Sequence, residues 1–487
     1  MIDFSSLNNY KENNRLEVKK AAGGLPQNVW QTYSAFANTD GGLILLGVEE
    51  NEDKTLKICG LKNPDKLVSD FWNTINNSNK INLNILKDRH VAVVKIEDKS
   101  IIHIEVPRAE RSDRPIYLNN DIWNAYRRNG EGDYKCSKEN IKAMLRDGAG
   151  ETQDTAVLED TPFSAFDYET VRSYRNVMRL VRNGHVWENL DDDDFLMKLG
   201  AVGRGGDEKL HPTAAGLLMF GFEHEIVREF SGYFLDYREH YDAGLRWTDR
   251  ITSSSGDWSG NLFDFYRKTY NKLTQNPNVK IPFKIENGFR VDDTPVHHAL
   301  REALANCLIN ADYYGEGGVV IKNRADMISF ENPGGLRIKL EEAVSGGVSS
   351  PRNSVLMKMF NLLDIGERAG SGIPSIFSVW ASQGFESPRI IERFDGFDRL
   401  SLLLPMKKIP IKSTDKKVPI KNTDNTIRQK EAIIEFVRKN KIIKSNDLLD
   451  ILNVKEERVK KLLQQLASEG LIVSEGGNRN RTYRLPY

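Results

Sequence analysis

The chain has 487 residues, 39% of them hydrophobic and 28% charged. That is an ordinary globular composition at a length too great for one hydrophobic core, so three or four domains are expected. Nothing resembles a membrane-spanning apolar run or a signal peptide, and Cys59, Cys136 and Cys307 lack any zinc-site spacing, which fits a reducing cytoplasm.

A net charge of zero, from 69 basic and 69 acidic residues, hides a segregation. Residues 407–487 carry 19 Lys and Arg against 10 Asp and Glu, so the preceding 406 residues are acidic. A basic tail on an acidic body points to a polyanionic partner for the tail.

In chain order, residues 1–145 alternate β-rich runs (Gly42–Glu49, Val91–Ile96, Ile101–Val106) with helical patterns, a mixed α/β (α+β) signature. Glu12, Glu17 and Lys19 stand near the start, and Glu50 closes the first apolar run after the Gly41-Gly42 turn. Acids gathered from separate elements can hold a divalent cation beside a phosphodiester. In a chain with 69 acids, the same spacing also describes solvated charges. Arg127 and Arg128 precede the turn signal Asn129-Gly130, where they could grip a phosphate backbone.

Residues 150–290 read as a linking α+β domain, in which the run Asp191–Asp194 decorates a helix N-terminus. Residues 291–406 open with a helix expected over Val296–Asp312. Strands are expected at Gly318–Lys322, Met327–Phe330 and Leu400–Leu404, with a turn at Asn332-Pro333-Gly334-Gly335 and a glycine cluster at Gly366–Ile373. Glu302, Asn306 and Asn310 recur every four residues and share one helix face, either the solvent side or a ligand-facing stripe.

A polar, Pro-containing near-repeat, Ile409–Asp415 and Val418–Asp424, marks a linker over 407–426. Residues 427–487 then give three helical patterns (Ile427–Lys439, Ser445–Ile451, Lys455–Glu469) and a hairpin (Leu471–Val473, Thr482–Leu485). That order is a winged helix-turn-helix, with Lys455 and Arg458 on the recognition helix and Arg479 and Arg481 on the wing. Such modules bind DNA and also serve in protein docking.

Two stretches resemble known families. Glu12-x-x-x-x-Glu17-x-Lys19, followed by Ser34–Gly42 and Gly47–Glu50, resembles the AlbA-type domain of the Schlafen family. Its animal members include RNA- and tRNA-cleaving endonucleases, and many bacterial relatives are described as DNA-binding regulators. The resemblance implies that Glu12, Glu17 and Glu50 hold Mg²⁺ or Mn²⁺ while Lys19 stabilises charge on the scissile phosphate. The third acid is usually Asp in those nucleases and is Glu here.

The Glu302 helix, Asn332–Leu336, Arg352-Asn353 and Gly366–Ile373 resemble a divergent GHKL-type ATP-binding domain, an α/β sandwich. By that resemblance Glu302 activates water and Asn306 holds Mg²⁺ against the phosphates. Asn310, Asn332 and Gly334 belong to the nucleotide site, and Gly370 and Gly372 let backbone amides approach the phosphates. This chain shows Asn332-Pro333-Gly334 where ordinary GHKL enzymes show Asp-x-Gly, and Asn310-Ala311-Asp312-Tyr313 where relatives show His-Arg-Asp-Tyr. No P-loop sequence occurs.

Together the resemblances imply a cytoplasmic, nucleotide-controlled nucleic-acid-binding protein. The expected activity is divalent-metal-dependent cleavage of RNA (tRNA-like) or DNA, with ATPase activity and, by analogy, a role in phage defence. The competing expectation is an ATP-responsive DNA-binding transcriptional regulator without nuclease activity. Animal Schlafen cores carry two tandem lobes and this chain one, so a homodimer or larger homo-oligomer is expected.

Overall fold

The computed structural model describes residues 14–408, apart from 242–245, 277–278, 280–283, 287–288, 292–293, 367–369 and 395, and beyond 408 only short segments between 433 and 484. Glu12, Lys455, Arg479 and Arg481 lie outside the described residues, as does the linker expected over 407–426 apart from its first two positions. The chain divides into two compact units, 1–409 and 410–487.

In the first unit, β1 (Leu16–Lys19) runs parallel to β2 (Gly42–Leu46), with Glu17 opposite Ile44. Parallel neighbours need a crossover, which α1 (Val29–Ala37), buried along most of its length, supplies. The return from α1 to β2 passes through Gly41 and Gly42. A Cβ on Gly41 would fall 2.7 Å from Val106 O, and one on Gly42 2.7 Å from the Phe36 ring, so neither position has room for a side chain. β3 (Val48–Glu50), β4 (Leu56–Ile58), α2 (Pro64–Ile75), β5 (Val91–Ile96) and β6 (Lys99–Val106) follow, and the main sheet has the order β1-β2-β6-β5. A smaller antiparallel sheet, β7 (Tyr117–Leu118), β8 (Asp121–Asn129) and β9 (Gly132–Lys135), leads into α3 (Lys138–Gly148).

The Ser34–Thr39 segment ties α1 to β8. Fully buried Asn38 donates from Nδ2 to Ile116 O (2.8 Å) and Tyr126 O (3.1 Å) and accepts the Ile116 N–H at 2.8 Å. Ser34 Oγ accepts the Tyr126 N–H (3.0 Å), and Thr39 Oγ1 accepts the Arg128 N–H (3.0 Å). These polar residues are inside because each satisfies main-chain groups that would otherwise be buried unpaired.

Beyond α3, the chain forms α4 (Tyr168–Val181), α5 (Asp192–Leu199), β10 (Val202–Arg204), β11 (Leu210–Pro212), α6 (Ala214–Phe220), α7 (Glu223–Glu229), β12 (Leu235–His240), β13 (Asp249–Thr252) and α8 (Leu262–Leu273). Asp191 caps α5, its Oδ1 accepting the Asp194 N–H at 2.8 Å, so the four-acid run begins a helix as its sequence indicates. A short hairpin, β14 (Lys284–Glu286) and β15 (Phe289–Val291), precedes α9 (Pro295–Ile309), β16 (Val319–Arg324) and β17 (Met327–Pro333). Then come α10 (Leu340–Ser345), α11 (Ser354–Leu362), α12 (Gly372–Ser382), β18 (Arg389–Arg393) and β19 (Arg399–Pro405).

The larger sheet has the order β13-β12-β16-β17-β19-β18. It takes strands from both sides of residue 290, so the segments 150–290 and 291–406 share one sheet and one core, which includes Tyr237, Leu304, Phe330 and Trp380. Two boundaries differ from expectation. α9 stops at Ile309 because the side chains of Asn310 and Tyr313 take the last carbonyls, those of Asn306 (3.0 Å) and Leu308 (2.7 Å). β17 continues through Asn332 and Pro333, paired with Leu400 and Arg399, and the turn begins at Gly334.

In the second unit the helix Glu456–Ser468 accompanies a three-stranded sheet in which Thr482–Arg484 lies between Ile442–Lys444 and Val473–Glu475. Val437, Ile443, Leu462 and Leu466 belong to its core. The expected hairpin is present, with its first strand shifted two residues onward. The helix expected over 427–439 falls mostly outside the described residues, and 445–448 forms a short 3₁₀ turn.

Candidate nucleotide pocket and its clasp to the N-terminal domain

α9 begins favourably, with Thr294 as N-cap and Pro295 in the first turn. Ala299, Leu300, Ala303, Leu304 and Leu308 bury its inner face, leaving Glu302, Asn306 and Asn310 in one row. The row borders a cavity of about 990 Å³, counting its open mouth. Asn332, Gly370 and Gly372 complete its polar side, while Phe330, Leu336, Ile338, Ile373, Ile390 and Leu402 form an apolar wall. Six residues expected at a nucleotide site therefore meet in one place.

Inside, Asn306 Nδ2 donates to Glu302 Oε1 at 3.0 Å. A Cβ on Gly372 would lie 2.0 Å from that same oxygen, so the glycine leaves room for the carboxylate. Gly370 is at φ +68°, and a Cβ there would lie 2.6 Å from Val348 O. Asn310 Oδ1 accepts the Arg352 N–H at 3.3 Å, and Asn332 Nδ2 donates to Asn310 O and Pro333 O. These two asparagines hold the pocket wall together through main-chain groups. Gly334 lies just outside the cavity, in the cleft that includes Asp398. Its φ of +89° and the Arg352 guanidinium, 2.2 Å from where a Cβ would be, both require glycine.

Arg337 lines the same cavity and was not singled out from sequence. Its partners are the carbonyls of Pro351 (2.7 Å) and Asp147 (3.4 Å). Burial, and then the charge of Arg111, pull its pKa down to about 10. Only its place one residue after the Gly-Gly-Leu turn could have flagged it.

The pocket wall is bonded to the N-terminal domain. Glu392 Oε1 accepts the Leu336 N–H (2.7 Å), while Arg108 donates to both Glu392 oxygens, at 2.6 and 3.2 Å. Arg127 forms a two-point pair with Asp398, whose carbonyl accepts the Gly334 N–H at 2.7 Å. Phe394 lies beneath both guanidiniums, about 5.5 Å from each. Arg352 bridges Asp147 (3.1 Å) and Gly335 O (2.9 Å), and Arg146 pairs with Asp312 at 2.7 Å. Arg114, also in this junction, is buried without a carboxylate partner among the described residues, and burial followed by the charge of Arg108 lowers its pKa to about 10.

Arg127 and Arg128 are therefore not the surface grips their sequence indicated. They are 5% and 3% exposed, because neighbours on a strand point to opposite faces and each meets an acid there. Arg128 pairs with Glu17 (2.8 Å) and Asp133 (2.9 Å) and covers the Phe36 ring. Lys19 Nζ sits 2.5 Å from the other Glu17 oxygen. Glu17 is thus the anion of a Lys–Glu–Arg cluster and would have to release both cations to take a divalent ion. Glu50 Oε1 is buried without a hydrogen-bond partner, with Lys54 Nζ 3.8 Å away. Among the described residues no group of three or more His, Cys, Asp or Glu side chains is placed to hold a metal ion. Arg458, on the helix of the second unit, is part-buried.

Fold and site together define a mixed α+β multidomain protein in which one domain is ion-paired to the wall of a cavity in the next. The family models specify the domains. Residues 10–137 match the family described as "Schlafen, AlbA_2", residues 142–236 match a domain of unknown function, and residues 317–399 match "Putative ATP-dependent DNA helicase recG C-terminal". The chain carries a Schlafen AlbA_2 domain at its N-terminal end and an ATPase-type domain of the recG C-terminal kind further on, a pairing that suggests a nucleic-acid-associated protein.

Two solved structures are similar. The DIP2311 protein of Corynebacterium diphtheriae is 16% identical over 97% of this chain and 95% of that one, with a TM-score of 0.38. The N-terminal domain of a "Putative ATP-dependent DNA Helicase RecG-related Protein" from Nitrosomonas europaea is 30% identical over 28% of this chain and 91% of that one, with a TM-score of 0.21. No curated protein matches. Among the described residues no helix is long and apolar enough to cross a membrane.

Proposed function

We propose that this chain is a nucleic-acid-binding protein controlled by a nucleotide, ATP or a close relative, held beside Glu302. The observation that carries the reading is the shared carboxylate of Glu392, which accepts hydrogen bonds from Leu336 of the pocket wall and from Arg108 of the Schlafen domain. A ligand that moves the 334–337 segment must strain or release that pair, and by reciprocity nucleic acid on the Schlafen domain must alter nucleotide affinity.

The donor set suits a nucleotide with its cation. Asn306 would hold a Mg²⁺ ion, which would supply charge neutralisation at the phosphates. The apolar wall receives the base, and Glu302 is the group able to take a proton from an attacking water.

Divalent-metal-dependent cleavage of RNA or DNA, in a setting such as phage defence, is a second reading. It is favoured by the buried Glu50 oxygen that lacks a hydrogen bond, and it requires Glu17 to exchange Lys19 and Arg128 for the ion.

The test uses the full chain. Nucleotide affinity is measured by titration calorimetry with and without saturating RNA or DNA, and a shift of about fivefold or more is expected. Glu302→Gln should keep binding and lose hydrolysis. Equal affinity in both conditions would sink nucleotide control. Mn²⁺-dependent cleavage that disappears in Glu50→Gln would support the nuclease reading, whereas no cleavage with any divalent ion leaves the regulatory one.

A further inference from the structure

The six-stranded sheet has two unlike faces. Tyr237, Ile321, Phe330, Leu402 and Ile390 align across the strands on the face that meets the helices and the pocket. The opposite face follows from the same register. Arg250 on β13 lies beside Arg238 on β12, which lies beside Lys322 on β16, and His240 pairs with Arg324. Further across, Lys322 aligns through Ser329 and Leu403 with Arg389, and Arg393 pairs with Arg399.

Among the described residues of the sheet, seven cationic side chains thus share one face with two carboxylates, Asp236 and Glu331. Both acids are already engaged: Asp236 is fully buried between Arg238 and Arg250, and Glu331 takes Lys322 at 2.6 Å. Neighbouring acids on β12 and β13, Glu239 and Asp249, turn to the other face, where Asp249 pairs with Lys272 of α8.

This cationic excess stands out because residues 1–406 are net acidic. Arg250, Arg324, Arg389 and Arg393 are exposed. An indole lies among the guanidiniums: the Trp247 ring is 4.5–5.3 Å from those of Arg238, Arg246 and Arg250, with His240 at 5.5 Å. Burial, and then the charges of Arg324, Arg238 and Lys322, push the His240 pKa below its ordinary value.

We infer that this sheet face is a second nucleic-acid surface, which binds a single-stranded stretch with its phosphates along the Arg324–Arg389–Arg393 side and a base stacked at Trp247. Charge complementarity names the partner as a polyanion, and an aromatic ring among arginines is the arrangement that single strands use for stacking. The inference rests on the nucleic-acid reading of the chain and adds a site on the six-stranded sheet, on the face opposite the pocket.

The experiment measures binding of the full chain to fluorescein-labelled oligo-dT and oligo-U by anisotropy across a salt series. The triple change Arg324→Ala, Arg389→Ala and Arg393→Ala is expected to weaken binding about tenfold or more and to flatten the log K against log salt slope by about 2, at about 0.7 per phosphate contact. Trp247→Ala should weaken it about tenfold with the slope unchanged. The Lys triple at the same positions should retain the slope, and Arg393→Glu alone serves if the Ala triple does not fold.

Wild-type binding that these changes leave untouched would overturn the surface while keeping the nucleic-acid reading. Absence of binding to any oligonucleotide would overturn both. Tighter binding to polyglutamate than to oligonucleotides would replace the partner with an acidic protein, and preference for a duplex would remove the stacking role of Trp247.

Discussion

Gly372 governs the geometry of the pocket through the side chain it lacks. A methyl at that position would meet Glu302 Oε1 at 2.0 Å and Asn306 Nδ2 at 2.9 Å, so both must swing away from the place where a phosphate and its cation would sit. Gly372 is also the first residue of α12, where alanine suits a helix at least as well. Gly372→Ala should therefore leave the unfolding temperature within a few degrees of wild type while reducing nucleotide affinity tenfold or more, read by fluorescent-nucleotide titration. Unchanged affinity would move the phosphates away from Glu302. The sequence showed the glycine and the carboxylate as separate signals about seventy residues apart. Their contact was legible only through the family resemblance, because no local pattern joins a helix face to a distant loop.

At the scale of elements, β8 is the decisive strand. It carries Arg127 toward Asp398 and Arg128 toward Glu17, so one strand holds both the clasp to the pocket wall and the cation that occupies the acid cluster. Removing one partner of a buried pair leaves the other charge without compensation. Arg127→Ala should accordingly destabilise the protein by about 3–5 kcal/mol in chemical denaturation. Asp398→Asn should cost less, and the double variant less than the sum of the two. Strict additivity would mean that the pair contributes nothing. The strands and α9 were legible from apolar alternation and four-residue spacing. The fate of Arg127 and Arg128 was not, because a turn signal beside two arginines looks the same whether their acids are solvent-borne phosphates or carboxylates brought in from elsewhere in the chain.

Over the whole molecule, charge is arranged in two opposed ways. The first unit buries arginines against carboxylates at its internal junction and displays others on one sheet face. The second unit takes its positive balance from sequence alone. Deleting residues 410–487 should leave the thermal unfolding and nucleotide affinity of residues 1–409 unchanged, since the two units are compact separately. Nucleic-acid affinity should fall, with a shallower salt dependence. An unaltered salt slope would make the second unit a docking module. The joining of segments 150–290 and 291–406 in one sheet was hidden from sequence, because strand order in a mixed sheet is set by long-range pairing and leaves no periodicity at the boundary.

The clasp also bears on how the protein is made. Arg108 meets Glu392 across 284 residues and Arg127 meets Asp398 across 271. Synthesis at roughly 5–20 residues per second leaves the N-terminal domain without these partners for roughly 15–60 s. During that time its finished hydrophobic core carries guanidiniums meant for burial. Contacts of such separation also slow the final docking step. A mutation at Glu392 or Asp398 would extend that wait past synthesis, leaving a domain with unpaired guanidiniums open to chaperones or proteases.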